Sequence, residues 1–239
     1  MNNKGKVWLV TGTCSGLGNC LVHSVLRRGD YAVATVRRRG SLDDLAITHE
    51  QRSRLRIIVM DVTDSEDTIR KVVDEAWAAW GHVDVLVNNA GHGTKALMEE
   101  GGAEVMKEHF ETNVFGVVKV TNAVLPHMRQ RRSGLIVFLE SRIVWQASLH
   151  LEAAYIATKA AIHAISESLA VEVAQFGIRV LLAIPGGFRT SQLDTPYVMK
   201  HHVADYDGYR EEALQELTER WKKAQGDPAK TMEALVDMV

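Results

Sequence analysis

Two cysteines in 239 residues are too few for a disulfide framework, and Cys14 and Cys20 alone do not complete a zinc site. Their scarcity points to a reducing compartment. Excess positive charge is also missing: 28 Lys and Arg face 30 Asp and Glu, a formal net charge of −2. No bulk field is available to hold nucleic acid or an anionic membrane. No apolar run approaches the roughly 18 residues that a spanning helix needs. The opening Met1-Asn2-Asn3-Lys4-Gly5-Lys6 leads into an apolar stretch broken by Gly12, without the small-residue cleavage pattern of a secretory signal. These absences predict a soluble, cytoplasmic protein. What is present, 46% hydrophobic and 24% charged residues, is ordinary for a globular chain and argues against disorder.

Order along the chain is more informative. Short apolar runs read as buried strands at 7–10, 31–36, 55–60, 83–87, 135–139 and 178–184. Helical spacing fills 16–28, a short piece from Ser41 to about Glu50 with Ser41 as its cap, a stretch from Thr63 or Asp64 to Trp80, and long helices near 103–130 and 153–176. Six strand–helix alternations with short connections predict parallel βαβ units, with helices on both faces of one sheet. No linker or repeat interrupts them, so residues 1–239 read as a single α/β domain with a doubly wound parallel sheet of six or seven strands. After Pro185 the pattern turns irregular, with Tyr197, His201, His202, Tyr206 and Tyr209. Charged helices follow near 208–224 and from Pro228. In an open parallel sheet, ligands sit beyond the carboxyl ends of the strands, so 190–225 is read as a substrate lid. His201 and His202 are adjacent, point different ways and have no third ligand nearby, so no metal site is expected.

Between the first strand and first helix lies Thr11-Gly12-Thr13-Cys14-Ser15-Gly16-Leu17-Gly18. Glycines let backbone amides approach a ligand closely, and a helix start offers unpaired N–H groups with partial positive charge. A dinucleotide pyrophosphate fits both features. The second strand ends in Arg37-Arg38-Arg39 with no carboxylate for a ribose 2′-hydroxyl. Guanidinium groups suit a 2′-phosphate, which favours NADP(H) over NAD, with Arg37 as its first contact.

With these residues in view, the chain resembles the short-chain dehydrogenase/reductases, strongly over residues 6 to about 190. The motifs occur in family order: the loop with Gly12, Gly16 and Gly18; Asp61 after the third strand; Asn88-Asn89-Ala90-Gly91; Asn113; Tyr155-Ile156-Ala157-Thr158-Lys159; and Pro185-Gly186 with Thr190. The resemblance implies a Rossmann fold. It implies cofactor contacts from Gly12, Ser15, Gly16, Leu17, Gly18, Arg37, Asp61, Asn89, Ala90, Gly91, Tyr155, Lys159, Pro185, Gly186 and Thr190. Asp61 would meet the adenine, Lys159 the nicotinamide ribose and Thr190 the carboxamide. Asn113 would position a water in a proton relay.

Tyr155 and Lys159 stand four residues apart in a helix and share a face. A free phenol titrates near ~10. A neighbouring ammonium favours phenolate, so the pair is expected to have a lowered phenol pKa suited to acid–base exchange with a carbonyl or alcohol oxygen. The family serine usually lies 13 residues before the tyrosine, where this chain has Arg142, and Ser141 is 14 before. Either the intervening loop is one residue longer and Ser141 is the catalytic serine, the favoured reading, or Arg142 has replaced it and binds a polar or anionic substrate oxygen. Arg142, Trp145 and His92 are assigned to the substrate pocket. Cys14 is expected to be a small buried residue of the loop.

The resulting expectation is an NADPH-dependent oxidoreductase that reduces a ketone, or oxidises the corresponding secondary alcohol, of a small organic molecule. Asn113, Ser141, Tyr155 and Lys159 are its catalytic residues. The alternatives are a divergent non-redox enzyme of the same fold (dehydration, isomerisation or cyclisation) and a catalytically silent NADP(H)-binding regulator. The resemblance further implies a homodimer or homotetramer packed through the two long helices, with Val114, Val117, Val118, Val124, Ala161, Ala164, Leu169 and Val173 as interface candidates. It also implies a seventh strand. The sequence still reads as helical at 232–239, so either the natural chain continues or the sheet has six strands, its far edge open or otherwise covered.

Overall fold

A computed structural model describes residues 5–42, 45–146, 149–188 and 195–239. Six parallel strands form one sheet in the order β3-β2-β1-β4-β5-β6. They are β1 Val7–Val10, β2 Tyr31–Val36, β3 Leu55–Val59, β4 Val85–Asn88, β5 Gly134–Leu139 and β6 Ile178–Ala183. Between and after them run α1 Gly16–Arg27, α2 His49–Ser53, α3 Glu66–Ala78, α4 Met98–Phe110, α5 Gly116–Arg131, α6 Ala153–Ala174, α7 Asp207–Lys222 and α8 Pro228–Met238. This is the doubly wound Rossmann arrangement.

Strand alternation splits the core into two layers. Leu9, Val33, Leu86, Ile136 and Phe138 face α3, α5 and α6, meeting Ile69, Val73, Val120, Val124 and Ile162. Trp8, Val10, Ala32, Val87 and Val137 face α1 and α8, meeting Leu21, Val25, Met232 and Leu235. Each fully buried Val, Leu, Ile, Phe or Met among them contributes about 1.5–3 kcal/mol. The indole of Trp8 lies within the second layer, and its Nε1 donates to Asp30 Oδ2 at 2.9 Å. Trp77 and Trp80 anchor the α3 end: Trp77 stacks on His127 with centroids 4.6 Å apart, and Trp80 tilts against Tyr31 at 5.1 Å.

Several expectations shift. The short helix lies at His49–Ser53 rather than from Ser41. Thr48 and Gln51 form a reciprocal capping box there, whereas the Ser41 hydroxyl donates to the Arg38 carbonyl in a turn at 2.8 Å. Ser65, rather than Thr63 or Asp64, caps α3. The helix placed at 103–130 begins at Met98, bends at Gly102 (φ 59°) and widens into a π-turn at Glu111–Phe115 before continuing as α5. Of the proposed interface residues, Val114, Val117, Val124 and Val173 are buried in this chain's own core. Phe115 and Val171 are the large apolar side chains that reach solvent there, 52% and 80% exposed. No seventh strand occurs among the described residues; β6 forms one sheet edge and α8 packs on α1. No described helix is long and apolar enough to cross a membrane.

Candidate active site

β1 and β4 are neighbours, and the chain winds away from them in opposite directions. Their carboxyl ends therefore frame the switch point where open α/β sheets bind ligands. The Asn89 amide staples the two loops together. Its Nδ2 donates to the carbonyls of Thr11 at 2.7 Å and Gly12 at 2.9 Å. The Thr11 hydroxyl accepts from the amides of Asn89 at 3.0 Å and Ala90 at 2.9 Å. Gly18 is required by contact: a Cβ there would lie 2.4 Å from Asn89 Nδ2 and 2.5 Å from the Gly12 carbonyl. Gly16 is different, with φ +57° and open space where its Cβ would stand. It begins α1, whose first turn carries no acid and whose cap, Ser15, makes no side-chain bond to the helix. Free amides, an open cradle and no opposing carboxylate fit a pyrophosphate. Cys14 is exposed on this loop, contrary to the buried position expected of it, because the turn carries it outward.

At the adenosine end, Arg37 projects into solvent beyond β2. Burial opposes ionisation of Asp61. Hydrogen bonds from the Thr63 amide (2.9 Å) and hydroxyl (2.8 Å), with the charges of Arg37 and Lys119, outweigh it and hold the carboxyl below the usual carboxylate range. The Arg37 charge thus reaches the Asp61 carboxyl.

The candidate catalytic residues converge from three elements. Asn113 lies in the π-turn, whose extra residue per turn widens the helix. Its Oδ1 accepts from the His92 amide at 2.9 Å, and its Nδ2 donates to the His92 carbonyl at 2.8 Å and the Thr158 hydroxyl at 3.1 Å. From α6, Lys159 Nζ donates to the Leu139 carbonyl at 2.7 Å and stands 5.6 Å from the Tyr155 ring centroid. Ser141 lies beside the Tyr155 hydroxyl, close enough to favour its ionised form. Ser141 follows β5 and also accepts from the Ile143 amide at 3.4 Å, opening a short 3₁₀ turn at Arg142–Trp145. Arg142 is exposed, its guanidinium 3.8 Å from where a Cβ on Gly187 would lie. The structure therefore brings Ser141, rather than Arg142, to the phenol.

The lowered phenol pKa expected of the pair is not found. Burial, then the charges of Glu152 and Glu140, push Tyr155 up to about 12, only partly offset by the Ser141 hydrogen bond. Burial pulls Lys159 down to about 8, against the charge of Glu140. Desolvation outweighs pairing because the Lys159 ammonium is turned to the Leu139 carbonyl. The phenol is fully protonated at neutral pH.

The remaining candidates surround this centre. Pro185 and Gly186 follow β6, and the Gly187 carbonyl accepts from the Gly226 amide at 3.2 Å. Gly91 lies against Asn113: a Cβ there would be 3.2 Å from its Oδ1. Thr190 falls outside the described residues. His92 tilts against His109 with centroids 4.6 Å apart; burial, then the charges of His109 and Arg37, lower its pKa. Trp145 is 60% exposed and sets its ring edge-on to His163 at 5.5 Å.

Across the mouth, the segment leading into α7 is clasped to the start of α4. The fully buried Glu100 carboxylate accepts from both ends of the Arg210 guanidinium, the Tyr197 hydroxyl and the Val203 amide. These bonds, led by Arg210, hold its pKa at about 2 against burial. His150 hydrogen-bonds Tyr209 on α7, and Arg220 Nη2 pairs with the buried Glu152 at 3.4 Å.

Sequence reasoning missed Glu100, Glu140 and Glu152, all buried carboxylates around the site. One signal was available for Glu140, a charge directly following the apolar run of β5 and preceding Ser141. The other two depend on partners about 70 and 110 residues away, Arg220 and Arg210.

Comparison with known proteins agrees with this geometry. The short chain dehydrogenase family model matches residues 6–197. The oxidoreductase BOA17 of Botryotinia fuckeliana is 33% identical over 86% of this chain and 76% of its own. A 3-ketodihydrosphingosine reductase of Bacteroides thetaiotaomicron is 34% identical over 79% of this chain and 66% of its own. The crystal structure of a short-chain dehydrogenase from Streptomyces avermitilis matches with a TM-score of 0.82 and 39% identity, covering 97% of this chain and 83% of that one. Solved neighbours include one with NADP bound and one with NADH bound. A glycine loop at the switch point, a tyrosine–lysine pair on α6 and a family match over four-fifths of the sequence have one common meaning: the chain belongs to the short-chain dehydrogenases, a family of oxidoreductases that use nicotinamide nucleotides.

Proposed function

We propose that the protein is an NADPH-dependent oxidoreductase that reduces the ketone of a small organic substrate, or oxidises the corresponding secondary alcohol, with Asn113, Ser141, Tyr155 and Lys159 as its catalytic group. The observation that carries this reading is the convergence of Ser141 on the Tyr155 phenol, with Lys159 Nζ 5.6 Å from the Tyr155 ring, one helical turn away on the same face. The nucleotide, when bound, supplies the hydride.

The protein's own part is to hold an oxygen and move a proton. Ser141 donates to the substrate oxygen, and the Tyr155 phenol gives that oxygen its proton as negative charge develops there. A phenol near 12 is in the right state to act as an acid at neutral pH, which supports reduction as the working direction. Lys159 holds the nicotinamide ribose and supplies positive charge beside Tyr155. Asn113 fixes the His92 backbone and the π-turn beside them. The first turn of α1 receives the pyrophosphate, Asp61 the adenine and Arg37 the 2′-phosphate. Thr190, outside the described residues, would contact the carboxamide. Arg142, Trp145 and His92 border the substrate.

The chain acts as one domain, with 190–225 as its lid, held by Glu100, Tyr197 and Arg210. Phe115 and Val171, exposed on the π-turn and on α6, support a homo-oligomer built through these helices.

The test is consumption of NADPH, followed by its absorbance, against a panel of ketones and aldehydes. Turnover with some carbonyls and a marked preference over NADH is expected. Tight NADPH binding without oxidation by any carbonyl overturns the reading.

A further inference from the structure

The stretch Leu139-Glu140-Ser141 meets α6 three times. The Leu139 carbonyl accepts from Lys159, Ser141 lies beside the Tyr155 phenol, and between them the Glu140 carboxylate faces His163 Nδ1 at 3.2 Å. Strand alternation sends Glu140 to the sheet face that carries Ile136 and Phe138, the face covered by α6. Its side chain is fully buried, and Oε2 has no hydrogen-bond partner among the described residues. A half-satisfied buried carboxyl is costly to a fold. Closing β5 does not require it, since the backbone amide of Glu140 already pairs with the Ala183 carbonyl at 2.9 Å.

Its surroundings say what it does. Lys159, His163 and Glu167 follow at four-residue intervals along one face of α6. His163 is partly exposed, its Nε2 stands 3.5 Å from the exposed Glu167, and Trp145 covers one edge of its ring. A line of titratable groups thus runs from beneath the tyrosine–lysine pair to solvent.

We propose that Glu140 is a positioning residue that keeps Lys159 cationic, with His163 as the group through which its buried carboxyl exchanges protons with solvent. This rests on the reading that Tyr155 and Lys159 perform acid–base work. The carboxyl meets His163 on α6 and its charge reaches Lys159 and Tyr155 on the same helix, while the Ser141 amide stands next to it in the turn after β5. Burial raises its pKa, opposed first by His163. Burial lowers that of Lys159, and the Glu140 charge is what opposes it. The proton balance is simple: one proton enters from water at His163 for each one the carboxyl gains, and no redox partner is involved.

The test is an NMR titration of lysine side-chain signals in the cofactor-free protein, with Lys159 assigned by its loss in Lys159→Met. In Glu140→Gln the Lys159 midpoint should fall by about one pH unit, the usual scale for losing a nearby opposite charge. In His163→Gln, which keeps a donor but cannot carry charge, it should fall by less. With NADPH and a substrate, the alkaline limb of kcat should move down by a matching amount. An unchanged Lys159 midpoint in both variants overturns the proposal, and His163→Gln alone decides the matter if Glu140→Gln does not fold. Because the titration needs no turnover, its failure is told apart from that of the oxidoreductase reading, which a wild type that reduces no carbonyl would sink.

Discussion

Ser141 lies beside the Tyr155 phenol and favours its ionised form although 14 positions separate them in sequence, and Arg142, at the usual family spacing, is exposed. Ser141→Ala should therefore lower kcat by about 10²–10³, the range seen when one donor to a developing oxyanion is removed. Arg142→Ala should change kcat little. Steady-state kinetics of both variants decide the matter: near-normal turnover in Ser141→Ala, with a collapse in Arg142→Ala, reverses the assignment.

Arg37 lies past β2 in the electrostatic reach of Asp61. Replacing it by alanine removes a charge-assisted contact to a 2′-phosphate, about 1.5–3 kcal/mol, or about 10–100-fold in NADPH affinity. NADH affinity should be unchanged. Titration calorimetry with the two nucleotides measures the difference, and an equal loss for both excludes 2′-phosphate recognition by Arg37.

The two loop glycines should respond differently to a methyl group. Gly18→Ala drives a Cβ into Asn89 and the Gly12 carbonyl, so the staple between the β1 and β4 loops must open. A stability loss of about 1–3 kcal/mol is expected. Gly16→Ala meets open space and carries only the cost of its left-handed backbone, about 1 kcal/mol, but it crowds the proposed pyrophosphate site. Chemical denaturation and NADPH binding should rank the variants oppositely: Gly18→Ala worse for folding, Gly16→Ala worse for binding relative to its folding.

The Glu100 clasp has a pH signature. Its folded pKa, about 2, is below the ordinary 4.5 of a glutamate. The stabilisation it gives is fully present above the unfolded value and is lost as pH falls from about 4.5 toward 2. Melting curves of wild type and Glu100→Gln should differ most at pH 7 and converge toward pH 3. A gap that stays constant over that window means the carboxylate is not held by Arg210 and Tyr197.

Val171 is the most exposed large apolar side chain on α6. If that face carries the subunit contact, Val171→Glu should shift sedimentation from dimer or tetramer toward monomer without lowering the melting temperature of a dilute sample. A wild type that sediments as monomer rules the contact out.

Much of this was legible in the sequence because it depends on local pattern. The strands fall within about two residues of the apolar runs, since the central parallel strands are buried on both faces and continuously apolar, and the edge strands β3 and β6 carry one arginine each. The glycine loop and the α6 pair follow from spacing. The miss at α2 was avoidable, because Thr48 and Gln51 have the capping-box spacing. The misplaced interface valines show that periodicity marks an apolar face without naming its partner. Here α5 and the sheet use those residues first. The Tyr155 expectation failed for a different reason. Pairing can be read from four-residue spacing, but desolvation is a property of the whole fold.

The π-turn at Glu111–Phe115 carries a consequence for chain length. Such a turn is geometrically one residue inserted into an α-helix. Deleting a single residue there should restore a regular helix with α4 and α5 still in line, and turn the residue at the Asn113 position away from the His92 backbone. The helix would survive while the site came apart, so this segment tolerates substitution far better than it tolerates a change of one in its length.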